Sequence, residues 1–349
     1  MNHSVYLIRS VIAGLCVSFA ITLNGQAIQD SGFFKNQLID ISIRMSIKEI
    51  KKTRNDSIYQ PHLLSYQTAP GKSDSLVVQI KSRGNFRFNQ CYYPPLWIKF
   101  YKKTANGTPF QGYKKMKLVL PCKSSAGNAE VIREYLCYKL FEQISPWAFK
   151  ARLARINFIE PKNKADKRTE LFGIFLEDVK ETASRLGGQT KPSLKLHPHL
   201  LDDTSTARLY LFEYLISNTD WSTINQHNTK LIFLSPARYA AIPYDFDMSG
   251  LVNAPYAVVT EVPGESLDVK SVKDRVYMGF CLQQPIMEAV RMEFLGKQPQ
   301  LMEIPRQYRD LLGDRDLRQT NRYLLEFFEI LKNDKEFAMK ILNRCRPLK

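Results

Sequence analysis

The sequence predicts an α+β protein of two lobes, a strand-rich N-terminal part and a helical C-terminal part, with a cleft between them. Apolar and polar residues alternate in the first third of the chain, apolar residues recur at helical spacing in several segments after Asn128, and a polar hairpin lies between the two regimes. No internal repeat or low-complexity segment interrupts this order.

In chain order, residues 1–27 hold one charged residue, Arg9, an apolar run from Ser10 to Leu23, and then Gly25 and Ala27 at the small-residue positions of a cleavage site. This is the pattern of a secretory signal peptide, so a mature chain beginning near Ile28 and an exported protein (periplasmic, cell-surface or secreted) are expected. No run reaches the roughly 20 apolar residues of a spanning helix, so an integral membrane protein is not expected. Loss of Arg9 leaves a net charge of +15 out of +16. Such a balance favours anionic partners such as nucleotide, anionic glycan or lipid headgroup. Without an RNA-binding motif or a Cys/His finger, no nucleic-acid partner is expected. Cys91, Cys122, Cys137, Cys281 and Cys345 form an odd, widely spaced set, from which Cys91 with Cys122 is the expected disulfide. His197 and His199 have no zinc-type spacing to these cysteines.

Residues 28–122 form the strand-rich part. Leu76, Val78 and Ile80 alternate with Val77, Gln79 and Lys81, Arg83-Gly84-Asn85 ends the run, and Leu96–Phe100 and Met116–Leu120 are further strands. Residues 123–260 form a core. There a helix from Asn128 carries Ile132, Tyr135, Leu136 and Leu140 and stops before Ser145-Pro146, and strands cover 152–160 and 170–179. Asp202 caps a helix bearing Leu209, Phe212, Leu215 and Ile216, which leads to Asn218. Residues 261–349 are helical, with helices over 285–295, 316–331 and 335–342.

The chemistry concentrates between Asn218 and Gly250. Apolar runs 230–234 and 239–242 flank a Ser-Pro-Ala-Arg turn, so a β-hairpin brings its two ends together. Asp220 and Asn228 then meet Asp245 and Asp247, although 25 residues separate Asp220 from Asp245. Oxygen donors grouped this way suit Mg²⁺ or Mn²⁺ held partly by water and substrate phosphate. The order Asp, Asn, hairpin, Asp matches the phosphoryl-transfer template, with seven residues between Asp220 and Asn228 and no His-Arg before Asp220.

Arg83-Gly84-Asn85, Asn218-Thr219-Asp220-Trp221 and Pro243-Tyr244-Asp245-Phe246-Asp247 resemble motifs of the spore-coat CotH-type atypical kinases, over roughly residues 75–255. The resemblance implies a two-lobed atypical protein-kinase-like fold and an exported kinase that passes phosphate from Mg-ATP to a protein or cell-envelope acceptor, as a monomer. It implies Asp220 as the catalytic residue, Asn228 with Asp245 or Asp247 as metal ligands, and Arg83, Gly84 and Asn85 at the nucleotide phosphates. The strand lysine of that template is Lys99 or, second, Lys117, and either Arg133 or Glu134 faces the site. Glu177, in Gly173-Ile174-Phe175-Leu176-Glu177, is implied as a neighbour of the adenine. The competing expectations are a catalytically degenerate binding or scaffold module and a basic envelope protein that grips anionic glycan or lipid.

Overall fold

Alternating burial gives a strand one apolar face, and seven such strands here curl until the last meets the first. The computed structural model describes residues 32–349 apart from 53–57, 85, 124–127, 164, 192–195, 235–237, 261–266, 268 and 348–349. Strands β1 (Ile39–Arg44), β2 (Gln60–Ala69), β3 (Lys72–Ser82), β4 (Leu96–Phe100), β5 (Lys115–Val119), β6 (Ala151–Glu160) and β7 (Lys167–Leu176) form a closed barrel in the order β1-β2-β3-β4-β5-β7-β6. Neighbours are antiparallel except at the seam, where β1 and β6 run parallel with Ile41 opposite Ile156. Short helices α1 (Ile47–Lys52), α2 (Phe86–Gln90) and α3 (Lys102–Ala105) lie in the connections.

The fold-class expectation is therefore corrected. The chain is a closed seven-stranded mixed barrel with a helical C-terminal part, not a two-lobed protein-kinase-like fold. Strand alternation reveals strands but not closure, because the parallel seam pairs residues far apart in sequence and has no hairpin turn to announce it. Two barrel strands, β6 and β7, come from beyond residue 122. Ile41, Leu64, Val78, Ile80, Leu96, Ile98, Leu118, Ile156 and Phe175 fill the barrel as one apolar cluster. At Gly173 on β7 an added Cβ would stand 2.6 Å from Ile156 Cδ1 and 3.1 Å from the Val119 carbonyl oxygen, so the absence of a side chain lets the wall close there.

The second core gathers around α4 (Asn128–Ile144), which packs on β6 and β7 with Ile132, Tyr135, Leu136 and Leu140 buried. Asp178 caps α5 (Val179–Arg185), and Asp202 caps α6 (Asp203–Ile216) by accepting from the Ser205 N–H. β8 (Gln189–Thr190), β9 (Thr229–Leu234) and β10 (Arg238–Pro243) make an antiparallel sheet in the order β10-β9-β8, with the expected hairpin in register Lys230 opposite Ile242. The helices α7 (Gln284–Gly296), α8 (Gln298–Gln307), α9 (Arg309–Lys332, kinked at Gly313) and α10 (Asp334–Lys340) complete this part, and α8 is one the sequence pattern did not announce.

Cys91 is bonded to Cys122 as expected, and a second disulfide joins Cys281 to Cys345. No described helix is long and apolar enough to cross a membrane. The expected signal segment and the start near Ile28 lie outside the described residues.

Candidate functional site

Helix α6 ends at Ser217 in the left-handed conformation and hands the chain to a loop that folds around Asn218. The Asn218 side-chain oxygen accepts from the Asp220 N–H (3.0 Å), and the Trp221 indole N–H donates to the Asn218 carbonyl (3.1 Å). At the hairpin mouth the Tyr244 N–H donates to the Asn228 carbonyl at 2.9 Å, which sets Asn228 beside Asp245. Ser217, Gln226, Asn228 and Asp245 are four of the five non-glycine residues at positive φ among those described. Backbone strain of this kind persists where surrounding structure over-determines it, commonly at binding and catalytic sites.

Asp220 accepts from three side chains, His227 Nε2 (2.8 Å), Asn228 Nδ2 (2.9 Å) and Thr260 Oγ1 (3.1 Å). Burial pushes its carboxyl up, but the bonds from His227, Thr260 and Asn228 outweigh that and hold it below the usual carboxylate range. The bond to Asp220 in turn raises His227. Asn228 gives its amide nitrogen to Asp220, so its amide oxygen is the atom left for another ligand.

A second layer of acids centres on Arg87 of α2. Its guanidinium lies 3.3 Å from Glu134, 3.7 Å from Asp245 and 3.8 Å from Asp247, and also donates to the Leu120 carbonyl at 2.7 Å. Burial pushes Glu134 up to about 8 and Asp247 up to about 6, against the pull of Arg87. Asp247 accepts from the Tyr256 hydroxyl (3.1 Å) and its side chain is 6 % exposed, whereas that of Asp245 is 32 % exposed. Of the two residues left open by the sequence, Glu134 faces this cluster. Arg133 instead binds the Val252 carbonyl and Asp316.

Three cations from separate elements gather near the acids, Lys117 on β5, Lys230 on β9 and Arg83 just after β3. Lys117 of β5 is buried, with its ammonium 4.2 Å from the Tyr244 ring centroid, and burial and then Arg83 pull its pKa well down. Lys230 stands over the same ring at 5.4 Å and is lowered by burial and by Arg83. Arg83 lies over Trp97 at 5.5 Å. An anion bound beside these lysines favours their charged forms.

Of the two strand lysines, Lys99 is exposed on β4 over Tyr59 and Lys117 is the one near Asp245. The Glu177 carboxylate is buried and already accepts from Arg185 (2.7 and 3.0 Å), the Lys150 N–H (3.2 Å) and Thr182 (3.0 Å). Gly84 has φ +83°, which favours glycine at the turn, and Asn85 lies outside the described residues. Arg87, His227, Tyr256 and Thr260 went unread in the sequence. His227 immediately precedes Asn228, the one local signal that could have found it.

Among the described residues no group of three or more His, Cys, Asp or Glu side chains is placed to hold a metal ion by itself. Mg²⁺ does not require such a cage, because it is commonly held by one or two carboxylates with water and substrate phosphate. The donors here are hard oxygens, three carboxyls share the single guanidinium of Arg87, and Glu134 Oε1 and Arg87 Nε are buried without hydrogen-bond partners. Hard oxygen donors of this kind, Asp245 and the Asn228 amide oxygen among them, suit a divalent cation. The chain matches no protein-family model and no curated protein.

Proposed function

We propose that the protein is an exported, divalent-cation-dependent phosphotransferase that passes a phosphoryl group from Mg-ATP to a hydroxyl of a protein or cell-envelope acceptor. The observation that carries this reading is the juxtaposition of the Asp220–Asn228–Asp245 oxygen cluster with the cations Lys117, Lys230 and Arg83. Phosphoryl transfer is catalysed mainly by positioning and by neutralising charge, and groups of both kinds lie near one another here. Bound Mg²⁺ or Mn²⁺ would be held by Asp245 and the Asn228 amide oxygen, and would neutralise charge between the phosphates. Lys117, Lys230 and Arg83 attract and orient the phosphate oxygens. Asp220, fixed by three donors and kept anionic, orients the acceptor hydroxyl by accepting its hydrogen bond.

These roles separate in an experiment. Asp220→Ala should lower transfer by on the order of 10²-fold or more and change Mg-ATP affinity little, because its contact is made to the acceptor. Asp245→Ala should weaken both binding and transfer. Binding of labelled ATP in Mg²⁺ or Mn²⁺, with self-phosphorylation as the second readout, tests this. Folded wild-type protein that neither binds Mg-ATP nor transfers phosphate would replace this reading with the binding-module one.

A further inference from the structure

Strand register builds a cationic track that leads away from Lys117. Lys81 pairs with Trp97 and Trp97 with Lys117, while Gln79 pairs with Lys99 and Lys99 with Lys115. Directly opposed residues share a sheet face, so these side chains lie in two rows on the outside of the barrel wall, with neighbours about 4.8 Å apart across strands and about 6.8 Å apart along them. Lys81 and Lys99 stand over the Tyr59 ring at 5.0 and 5.6 Å, and Lys115 over Trp97 at 4.5 Å. Only Lys115 of the track has an ion pair among the described residues, with Asp178 at 3.2 Å.

A nucleoside triphosphate brings three phosphates, and Arg83, Lys117 and Lys230 are three cations at the acid cluster. Lys99 and Lys81 lie beyond what that ligand needs. Among the described residues, the groups expected beside a base already have partners. Glu177 accepts from Arg185, Lys150 and Thr182, and the Trp97 and Tyr59 rings have Lys115 at 4.5 Å and Lys81 at 5.0 Å over them.

Resting on the phosphotransferase reading above, we infer that the same site takes a linear polyphosphate chain as a second donor beside Mg-ATP, which occupies Arg83, Lys117 and Lys230 with its reactive end and Lys99 and Lys81 with its continuation. In the transfer, the acceptor oxygen bonds to the terminal phosphorus and the terminal P–O–P bridge breaks. The chain, shorter by one phosphate, leaves as the anion, and the hydroxyl proton passes by way of Asp220 to solvent.

The test compares ATP, tripolyphosphate, long-chain polyphosphate and heparin as ligands of the full chain at one salt concentration with Mg²⁺. Long-chain polyphosphate should bind at least about tenfold tighter than tripolyphosphate or ATP, and Lys81→Ala/Lys99→Ala should remove that advantage with tripolyphosphate affinity changed by less than about twofold. Both side chains are solvent-accessible, and an unchanged melting temperature verifies the fold of the variant. ATP binding as tightly as the long chain, a length advantage that survives in the variant, or equal affinity for heparin would each overturn the inference. ATP-driven transfer with no length preference sinks this inference alone, whereas tight long-chain binding with no transfer from either donor sinks the phosphotransferase reading and leaves the track assigned.

Discussion

Arg87 balances three carboxyls at once, and its contribution is to make their burial tolerable rather than to add stability on its own. Removing one member of a buried ion cluster leaves uncompensated charge, so Arg87→Met should destabilise the protein by about 3–5 kcal/mol. Adding Glu134→Gln removes the nearest orphaned carboxylate (3.3 Å in the wild type) and should restore part of that loss in urea unfolding. No restoration would show that Arg87 acts through packing alone. Glu213 supplies a pH signature of its own. Burial, and more weakly the Asp220 charge, push its carboxyl up to about 8, and both of its oxygens are buried without hydrogen-bond partners. A carboxyl raised in the folded state binds more protons there than in the unfolded chain, so its stability is full below the ordinary value of 4.5 and is lost as pH rises through about 8. Glu213→Gln should therefore flatten the fall in stability between these limits by on the order of a few kcal/mol. An unchanged pH profile of the melting temperature would contradict it.

At the scale of elements, α2 is five residues long and could not hold Arg87 in place as an isolated helix. What holds it is the Cys91–Cys122 disulfide at its end, together with the Arg87 bond to Leu120, two residues before Cys122. The bond closes a loop with a sequence separation of 31. Cys91→Ala/Cys122→Ala should cost about 3–4 kcal/mol and weaken Mg-ATP binding. Cys281→Ala/Cys345→Ala, whose bridge anchors the C-terminal end away from the acid cluster, should lower stability and leave ligand affinity unchanged. Equal loss of affinity in both variants would refute a positioning role for the first bridge.

For the molecule as a whole, residues 32–349 form one compact unit, and β6 and β7 belong both to the barrel wall and to the surface on which α4 packs. Closure of the barrel is thus coupled to the second core. Gly173→Ala places a methyl group against Ile156 and Val119 in that shared wall and should destabilise the protein by about 1–3 kcal/mol, with partial recovery on adding Ile156→Val. Calorimetry should show a single transition that moves as a unit in both variants. Two transitions, of which Gly173→Ala shifts only one, would show that the barrel and the helical part unfold independently.

The sequence by itself determined what depends on near neighbours. The α4 stripe, the Asp202 cap, the 230–242 hairpin and the meeting of Asp220 with Asn228 follow from periodicity, capping chemistry and a loop of a few residues, all of which act within a turn or a hairpin. The Cys91–Cys122 pairing was also within reach. Tertiary structure alone decided the rest. Barrel closure rests on a parallel seam between residues more than a hundred positions apart, with no turn to signal it. Lys99 and Lys117 sit on neighbouring strands of similar pattern, and only the packing of Tyr244 and Phe149 on one of them distinguishes a buried lysine from an exposed one. Glu177 read as free until Arg185 folded back on it, and Arg87, Thr260 and Tyr256 became site residues only when distant segments converged on the hairpin mouth. Burial and partner choice depend on what folds against a side chain from elsewhere, and local pattern carries no record of that.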